Sequence, residues 1–180
     1  IALVSDAGMP TICDPGEELV KDALSYGINI RCIPGPSAAL TALVTSGFPS
    51  SKFIFEGFLP KKKSNREKIL MELRKSEKTI ILFESPHRLK KSLIELKTYF
   101  GGEREIQISR ELTKKFEEHI GKNINEVIDH FEEENVLGEI TIIIKGANNE
   151  PQKIEFDKLK LKKELLELIS AGLNLSQASK

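Results

Sequence analysis

Long apolar runs are missing from this sequence. Nothing in its 180 residues approaches the roughly 20 needed to span a bilayer, and no charged-then-apolar leader opens the chain, which points to the cytoplasm. Cysteine is scarce. Cys13 and Cys32 have no pairable spacing and read as reduced thiols, so a disulfide scaffold is not expected. Histidine is nearly as rare: His87, His119 and His130 are scattered, with no cysteine or carboxylate at ligand spacing, and predict no metal centre. His119 and His130 read as surface or satisfied-core side chains rather than catalytic ones. Net charge is absent too, because 27 Lys and Arg balance 27 Asp and Glu. Any nucleic-acid contact therefore has to come from a local patch. The Gly-x-Ser-x-Gly elbow of many hydrolases, the P-loop and the GxGxxG dinucleotide fingerprint do not occur either, which removes the usual routes to nucleophilic hydrolysis and phosphate cradling.

What is present is an unusual concentration of turn chemistry near the start. Residues 4–16 read VSDAGMPTICDPG, with two Gly, two Pro and two Asp after an apolar run over 1–4 that predicts a buried strand. Such a loop at the carboxyl end of a strand lets a ligand approach the backbone. Asp14 is placed to cap the next helix, with Pro15 in its first turn and Glu17 at capping-box spacing.

The rest of the chain alternates strand and helix signals. A helix is predicted over 16–26, stopped by Gly27, and a strand over 28–33. Pro34-Gly35-Pro36 breaks the chain, and Ser37 caps a small-residue helix over 38–46, closed by Gly47. A strand is predicted over 53–60, then a helix to about 75 with Ser64 and Glu67 as its capping box. Apolar residues 79–83 predict a strand covered on both faces. Ser85 and Pro86 start a helix that ends at Gly101-Gly102, followed by a strand over 105–109. Asn123 and Glu126 begin a helix running to about 133, 138–145 is the last strand, 146–153 is a polar linker, and 157–171 reads as a final helix. The pattern is α/β, with no repeat and no low-complexity tract.

Five loops after strands carry the polar and glycine-rich segments: SDAGMPTICDPG, PGPSA, FEGFLP, ESPHR and RELTK. In a doubly wound sheet such loops converge on one cleft, which supports a small-molecule site with basic residues nearby.

SDAGMPTICDPG, PGPSAALTAL, FEGFLPKK, FESPHRL and SRELTKKFEEHIG, in this order and spacing, resemble the bacterial 16S ribosomal RNA (cytidine 2′-O)-methyltransferases of the tetrapyrrole-methylase superfamily, over most of residues 1–146. The resemblance implies S-adenosylmethionine as methyl donor, a cytidine ribose of the decoding region of 16S rRNA in the small ribosomal subunit as acceptor, and a homodimer. It implies a fold of two α/β domains with the cofactor cleft between them, here a remnant of the N-terminal domain over 1–36, a C-terminal domain over 37–146, and a linker and helical tail over 147–180. Both ends read as cut, and relatives carry an upstream strand and loop that wall the cofactor cleft. The chain alone is therefore expected to bind the cofactor weakly.

Carried onto this sequence, the resemblance implies cofactor contacts from Ser5, Asp6, Ala7, Gly8, Met9, Ala42, Phe83, Glu84, Leu112, Thr113, Glu139 and Ile140. Met9 and Cys13 stand where relatives often have polar or β-branched residues. Methyl transfer to a hydroxyl gains from alignment and from a general base. Glu56, Glu84, Glu111 and Lys114 are the candidates for that base, with ion pairing such as Arg110 with Glu111 or Glu84 with Arg88 as the structural alternative. Lys61, Lys62, Lys63, Arg66 and Arg88 form the basic group placed to hold RNA. Two other functions fit the same residues: a tetrapyrrole methylase, or a ribosome-binding module without catalysis.

Overall fold

The computed structural model describes residues 1–148. Along the chain the elements are α1 (Glu17–Ser25), α2 (Ala38–Ser46), β1 (Phe53–Phe58), α3 (Lys63–Leu73), β2 (Thr79–Glu84), α4 (Pro86–Phe100), β3 (Glu105–Arg110), β4 (Glu118–Asn123), α5 (Ile124–Phe131) and β5 (Ile140–Ile144). The helix expected over 157–171 lies outside the described residues. Residues Ile1–Ala147 form one unit, and among the described residues no helix is long and apolar enough to cross a membrane.

The apolar runs of β2 and β5 fix the architecture. They pair antiparallel at the centre of a five-stranded sheet of order β1-β2-β5-β3-β4, with Ile81 opposite Ile143 and Leu82 opposite Ile142. Successive side chains on a strand point to opposite faces, so an unbroken apolar run needs cover on both. On one face Ile80, Leu82, Ile142 and Ile144 pack with Leu70, Leu89, Leu93, Leu96, Ile124 and Phe131 from α3, α4 and α5. On the other, Ile81 and Ile143 meet Ala39, Ala42 and Leu43 of α2. The small residues of α2 thus serve close helix-to-sheet packing.

Most predicted boundaries hold, and α2 shows why: Ser37 accepts the Leu40 N–H at its start and Gly47 closes it at φ 68°. Other expectations need correction. Residues 1–4 and 28–33 form no strand; they have strand composition but no ladder partner among the described residues, and Ile28, Ile30 and Ile33 are exposed. Asp14 does not cap α1, whose N-cap is Gly16; its carboxylate is engaged by the Ser5 hydroxyl. Ser64 lies inside α3, whose N-cap Lys62 makes no side-chain cap. The polar strand β4 escapes the periodicity argument because only Ile120 in EHIGKN is apolar. The sheet is mixed rather than doubly wound, since β5 runs against both its neighbours.

Candidate functional site

The topology delivers four strand ends to one edge. β1, β2 and β3 run in one direction and end there, while β5, running the other way, begins there. A cavity of about 540 Å³ opens at that edge, within the range of small-molecule sites. The ends of β1 and β2 give Phe58, Phe83, Glu84, Ser85 and Pro86, the loop after β3 gives Leu112, Thr113 and Lys114, and the entry to β5 gives Gly138 to Thr141. The start of α2 contributes Pro36, Ser37, Ala38 and Thr41, and the first loop contributes Ala7, Gly8, Met9, Ile12, Cys13 and Asp14.

Backbone conformation in two of these loops is unusual. Thr11 and Cys13 have φ of 72° and 59°, and Glu111 and Thr113 have 52° and 65°, in the left-handed region that bulky side chains avoid. The first loop sits against β1 so closely that a Cβ on Gly57 would come within 2.7 Å of the Cys13 sulfur. Such loops present backbone amides and carbonyls as well as side chains to the cavity. Phe83 packs edge-on against Phe55 and Phe58, with centroids 5.1 and 5.7 Å away, and gives one wall a rigid apolar surface.

Charge gathers at the loop after β3 and the entry to β5. The Lys114 ammonium lies 3.0 Å from Glu111 Oε1 and 3.1 Å from Glu139 Oε2, and these hydrogen bonds raise its pKa, so it is held as a cation. The Glu111 carboxyl is lowered, chiefly by the backbone N–H of Glu139 and then by Lys114. Glu84 is buried: its Oε1 accepts the Ser85 N–H at 2.8 Å and its Oε2 the Ser92 hydroxyl at 2.5 Å, while Arg88 lies 3.4 Å from Oε1.

Nine of the twelve expected cofactor residues therefore line one cavity: Ala7, Gly8, Met9, Phe83, Glu84, Leu112, Thr113, Glu139 and Ile140. Ser5 and Asp6 do not line it; Ser5 hydrogen-bonds within the loop. Ala42 has no exposed surface and packs on Ile81 and Ile143. Of the candidates for a base, Glu84 and Lys114 line the cavity and Glu111 supports it from behind. Glu56 does not line it. That residue is bulged out of the β1–β2 register, and its carboxyl is raised by burial and by Glu72 of α3. Lys61, Lys62 and Lys63 are exposed, whereas Arg66 is 6% exposed. Arg66 donates to both carboxylate oxygens of Glu95, at 2.6 and 2.8 Å, and to the carbonyls of Pro60 and Lys61. It is a structural cation and not part of a basic surface. Arg88 is divided between Glu84 and the Leu59 carbonyl.

Sequence reasoning missed Phe58, Ser37, Thr41 and Gly138 as cavity residues, although FEGFLP and PGPSAALTAL carried the first three. It also read no carboxylates near the histidines. β4 brings Glu118 beside His130 and Glu134, with all three ligand atoms within 4.8 Å of one another. Glu118 is already paired with Arg110, and His130 Nε2 stands 3.9 Å from Glu118 Oε1 and 3.7 Å from Glu134 Oε2.

A five-stranded mixed sheet with loops converging on one edge cleft is an architecture shared with known methylases, and the sequence agrees. The profile of the tetrapyrrole (corrin/porphyrin) methylases matches residues 1–128, and the chain belongs to that family. Within it, the chain is 44% identical over 183 residues to ribosomal RNA small subunit methyltransferase I of Bacillus subtilis strain 168, covering 100% of this chain and 62% of the relative. The first four such relatives are covered over 62–65% of their length. Among solved structures, the methyltransferase CobJ superposes with a TM-score of 0.60 at 18% identity, covering 78% of this chain and 62% of the other. Uroporphyrin-III C-methyltransferase from Thermus thermophilus, solved with S-adenosylhomocysteine, gives 0.50 at 17% identity, with 76% and 62% covered. At such identities these two likenesses speak to the fold.

Proposed function

We propose that this chain is the larger part of an S-adenosylmethionine-dependent methyltransferase that modifies the 2′-hydroxyl of a cytidine ribose in 16S rRNA of the small ribosomal subunit. The observation that carries the proposal is the convergence of Ala7, Gly8, Met9, Phe83, Leu112, Thr113 and Ile140 on one cavity. Its size and its mix of apolar side chains with loop backbone suit a nucleoside joined to an amino acid. The names of the relatives supply the acceptor class.

When bound, S-adenosylmethionine supplies an electrophilic methyl group. The chain's own residues would do the rest. Apolar Met9, Phe83 and Leu112 would exclude water from the donor, and Glu139 and Lys114 at the rim would fix its polar end. In-line placement of the ribose hydroxyl supplies much of the acceleration. Lys114, held protonated between two carboxylates, would stabilise negative charge rather than take a proton. Glu84, with both oxygens engaged by donors, would hold the start of α4 in place.

The division at residue 36, with 1–36 the remnant of one α/β domain and 37–146 a second, belongs to the same proposal. It is supported by the buried apolar core, which begins only at Ala39 among the described residues. A homodimer in the cytoplasm completes it; Leu40 and Val44, 49% and 77% exposed on the outer face of α2, supply apolar surface for burial against a second copy. The proposal is tested by transfer of labelled methyl to small subunits that lack the modification, comparing this chain with a form extended upstream to the length of its relatives. Label on a cytidine ribose with the extended form bears it out; tight subunit binding by both forms without label overturns it in favour of a non-catalytic binding module.

A further inference from the structure

Thr113 lines the cavity with its backbone in the left-handed region, an arrangement a β-branched residue does not hold without support. The support is a side chain four residues on. Glu117 Oε2 accepts the Thr113 backbone N–H at 2.6 Å. The other oxygen, Oε1, lies 3.0 Å from His119 Nε2, and His119 Nδ1 lies 3.0 Å from the hydroxyl of Ser109. Ser109 is 1% exposed on β3 and also accepts from the Gln107 amide at 3.1 Å.

These contacts have one consistent direction. Glu117 Oε1 can only accept, so His119 donates to it from a protonated Nε2, and the Ser109 hydroxyl, which receives the Gln107 N–H, has its proton free for Nδ1. A line of hydrogen bonds therefore runs from buried Ser109 on β3, across the β3–β4 pair, to one backbone amide at the cavity wall. None of Ser109, Glu117 and His119 lines that cavity, so the line acts through Thr113.

We propose that Glu117, oriented by His119 and Ser109, is a positioning residue that sets the Thr113 wall of the cavity and thereby the affinity for the methyl donor. The inference rests on the reading of this cavity as the donor site. It distinguishes Glu117 from the residues that touch the donor, and it gives the SRELTKKFEEHIG segment a mechanical role: strand, strained wall, carboxylate strut and histidine brace follow one another in thirteen residues.

The test uses the protein extended upstream to the length of its relatives, with S-adenosylhomocysteine as the binding probe in calorimetry and labelled methyl transfer as the kinetic readout. Glu117→Ala is expected to raise both the Kd for the probe and the KM for the donor about tenfold, with kcat and the KM for the small subunit within twofold. Amide exchange at Thr113, followed by NMR, accelerates in the same variant while the β2 and β5 amides stay protected. Glu117→Gln is expected to restore affinity to within about threefold, because its carbonyl oxygen still receives the Thr113 N–H and His119 can present the opposite tautomer to its amide. His119→Ala gives an intermediate loss. An unchanged Kd in Glu117→Ala, despite a freely exchanging Thr113 amide, overturns the inference. So does a fall of every kinetic constant together with loss of protection across the sheet, which marks a general structural role. Absence of probe binding by the unmutated protein overturns the donor-site reading itself, a result distinguishable from the other two.

Discussion

Glu111 and Glu139 are joined twice. The Glu111 N–H donates to the Glu139 carbonyl at 3.0 Å, and the Glu111 carboxylate receives the Glu139 N–H at 2.8 Å, tying the loop after β3 to the entry of β5 at the cavity edge. Gly138 makes this possible. It has φ 89°, and a Cβ there would fall 2.5 Å from the Glu111 side chain.

Gly138→Ala is therefore expected to displace Glu111 and open the wall. Backbone strain and the steric conflict together should cost about 2–3 kcal/mol, and the affinity for S-adenosylhomocysteine should fall with it. Gly47→Ala is the matched control, because Gly47 has a similar positive φ of 68° but open space around its Cβ position. It should lose only about 1 kcal/mol with unchanged affinity. Thermal melts with calorimetric titration of both variants decide the matter, and equal losses in the two would show that the Glu111 contact is irrelevant.

Acid should loosen the same link. The Glu111 carboxyl titrates below its usual value because the Glu139 N–H and then Lys114 favour its charged form. A lowered folded pKa means stability that is fully present above the unfolded value of about 4.3 and is lost as pH falls through the folded one. Glu111→Gln should accordingly flatten the acid limb of a stability-against-pH curve, measured by urea unfolding between pH 3 and 7. A curve parallel to that of the parent would sink this assignment.

Arg66 illustrates a different outcome of the same electrostatics. Its guanidinium is buried, forked onto Glu95 and bonded to two carbonyls, which holds the Glu95 carboxyl low. Arg66→Met should leave these acceptors unpaired at a cost of about 2–4 kcal/mol, lowering the melting temperature by about 5–15 °C. The salt dependence of small-subunit binding, measured well below that melting point, should not change.

The fold was largely legible because α2, β2, α4 and β5 carry unambiguous signals: a Ser cap with a Gly stop, a Pro at a helix start, and isoleucine runs too apolar for an exposed face. Residues 1–4 and 28–33 carry equally good strand composition, yet a strand is a relation between two segments, and composition cannot supply the second. β4 fails in the opposite sense, being a strand because β3 pairs with it and not because EHIGKN is apolar. At the cavity, loop motifs marked segments that the structure brings together. Three-dimensional facts were beyond them: that Arg66 turns inward to Glu95, that Ala42 faces the sheet, and that Glu56 is squeezed out of register toward Glu72.

Glu56 should behave as a burden on the fold. Burial and the nearby Glu72 raise its pKa, so its ionised form is disfavoured in the folded state and stability falls as pH rises from the unfolded value through the folded one. Glu56→Gln removes that charge. It should raise the melting temperature at pH 7 by about 1–3 °C and leave methyl transfer intact. A loss of transfer with unchanged stability would return Glu56 to the reaction.

Lys61, Lys62 and Lys63 stand at the entry to α3, exposed, and among the described residues only Lys63 has a carboxylate partner, Glu67 at 3.7 Å. An exposed pair of this kind is worth little, so all three ammoniums remain available to phosphate. Each lysine that neutralises an RNA phosphate releases counterions on binding, and the slope of log affinity against log salt should shrink by about one for each such lysine replaced by Gln. The triple variant should thus lose most affinity at low salt and converge with the parent as salt rises. Because α3 packs through Leu70 and Leu73, about two turns or more beyond these exposed lysines, the triple variant's melting temperature should stay within about 2 °C of the parent's. Filter binding of small subunits between 50 and 300 mM salt measures the slope, and an unchanged slope would remove this triplet from the RNA surface and leave the acceptor to be held elsewhere.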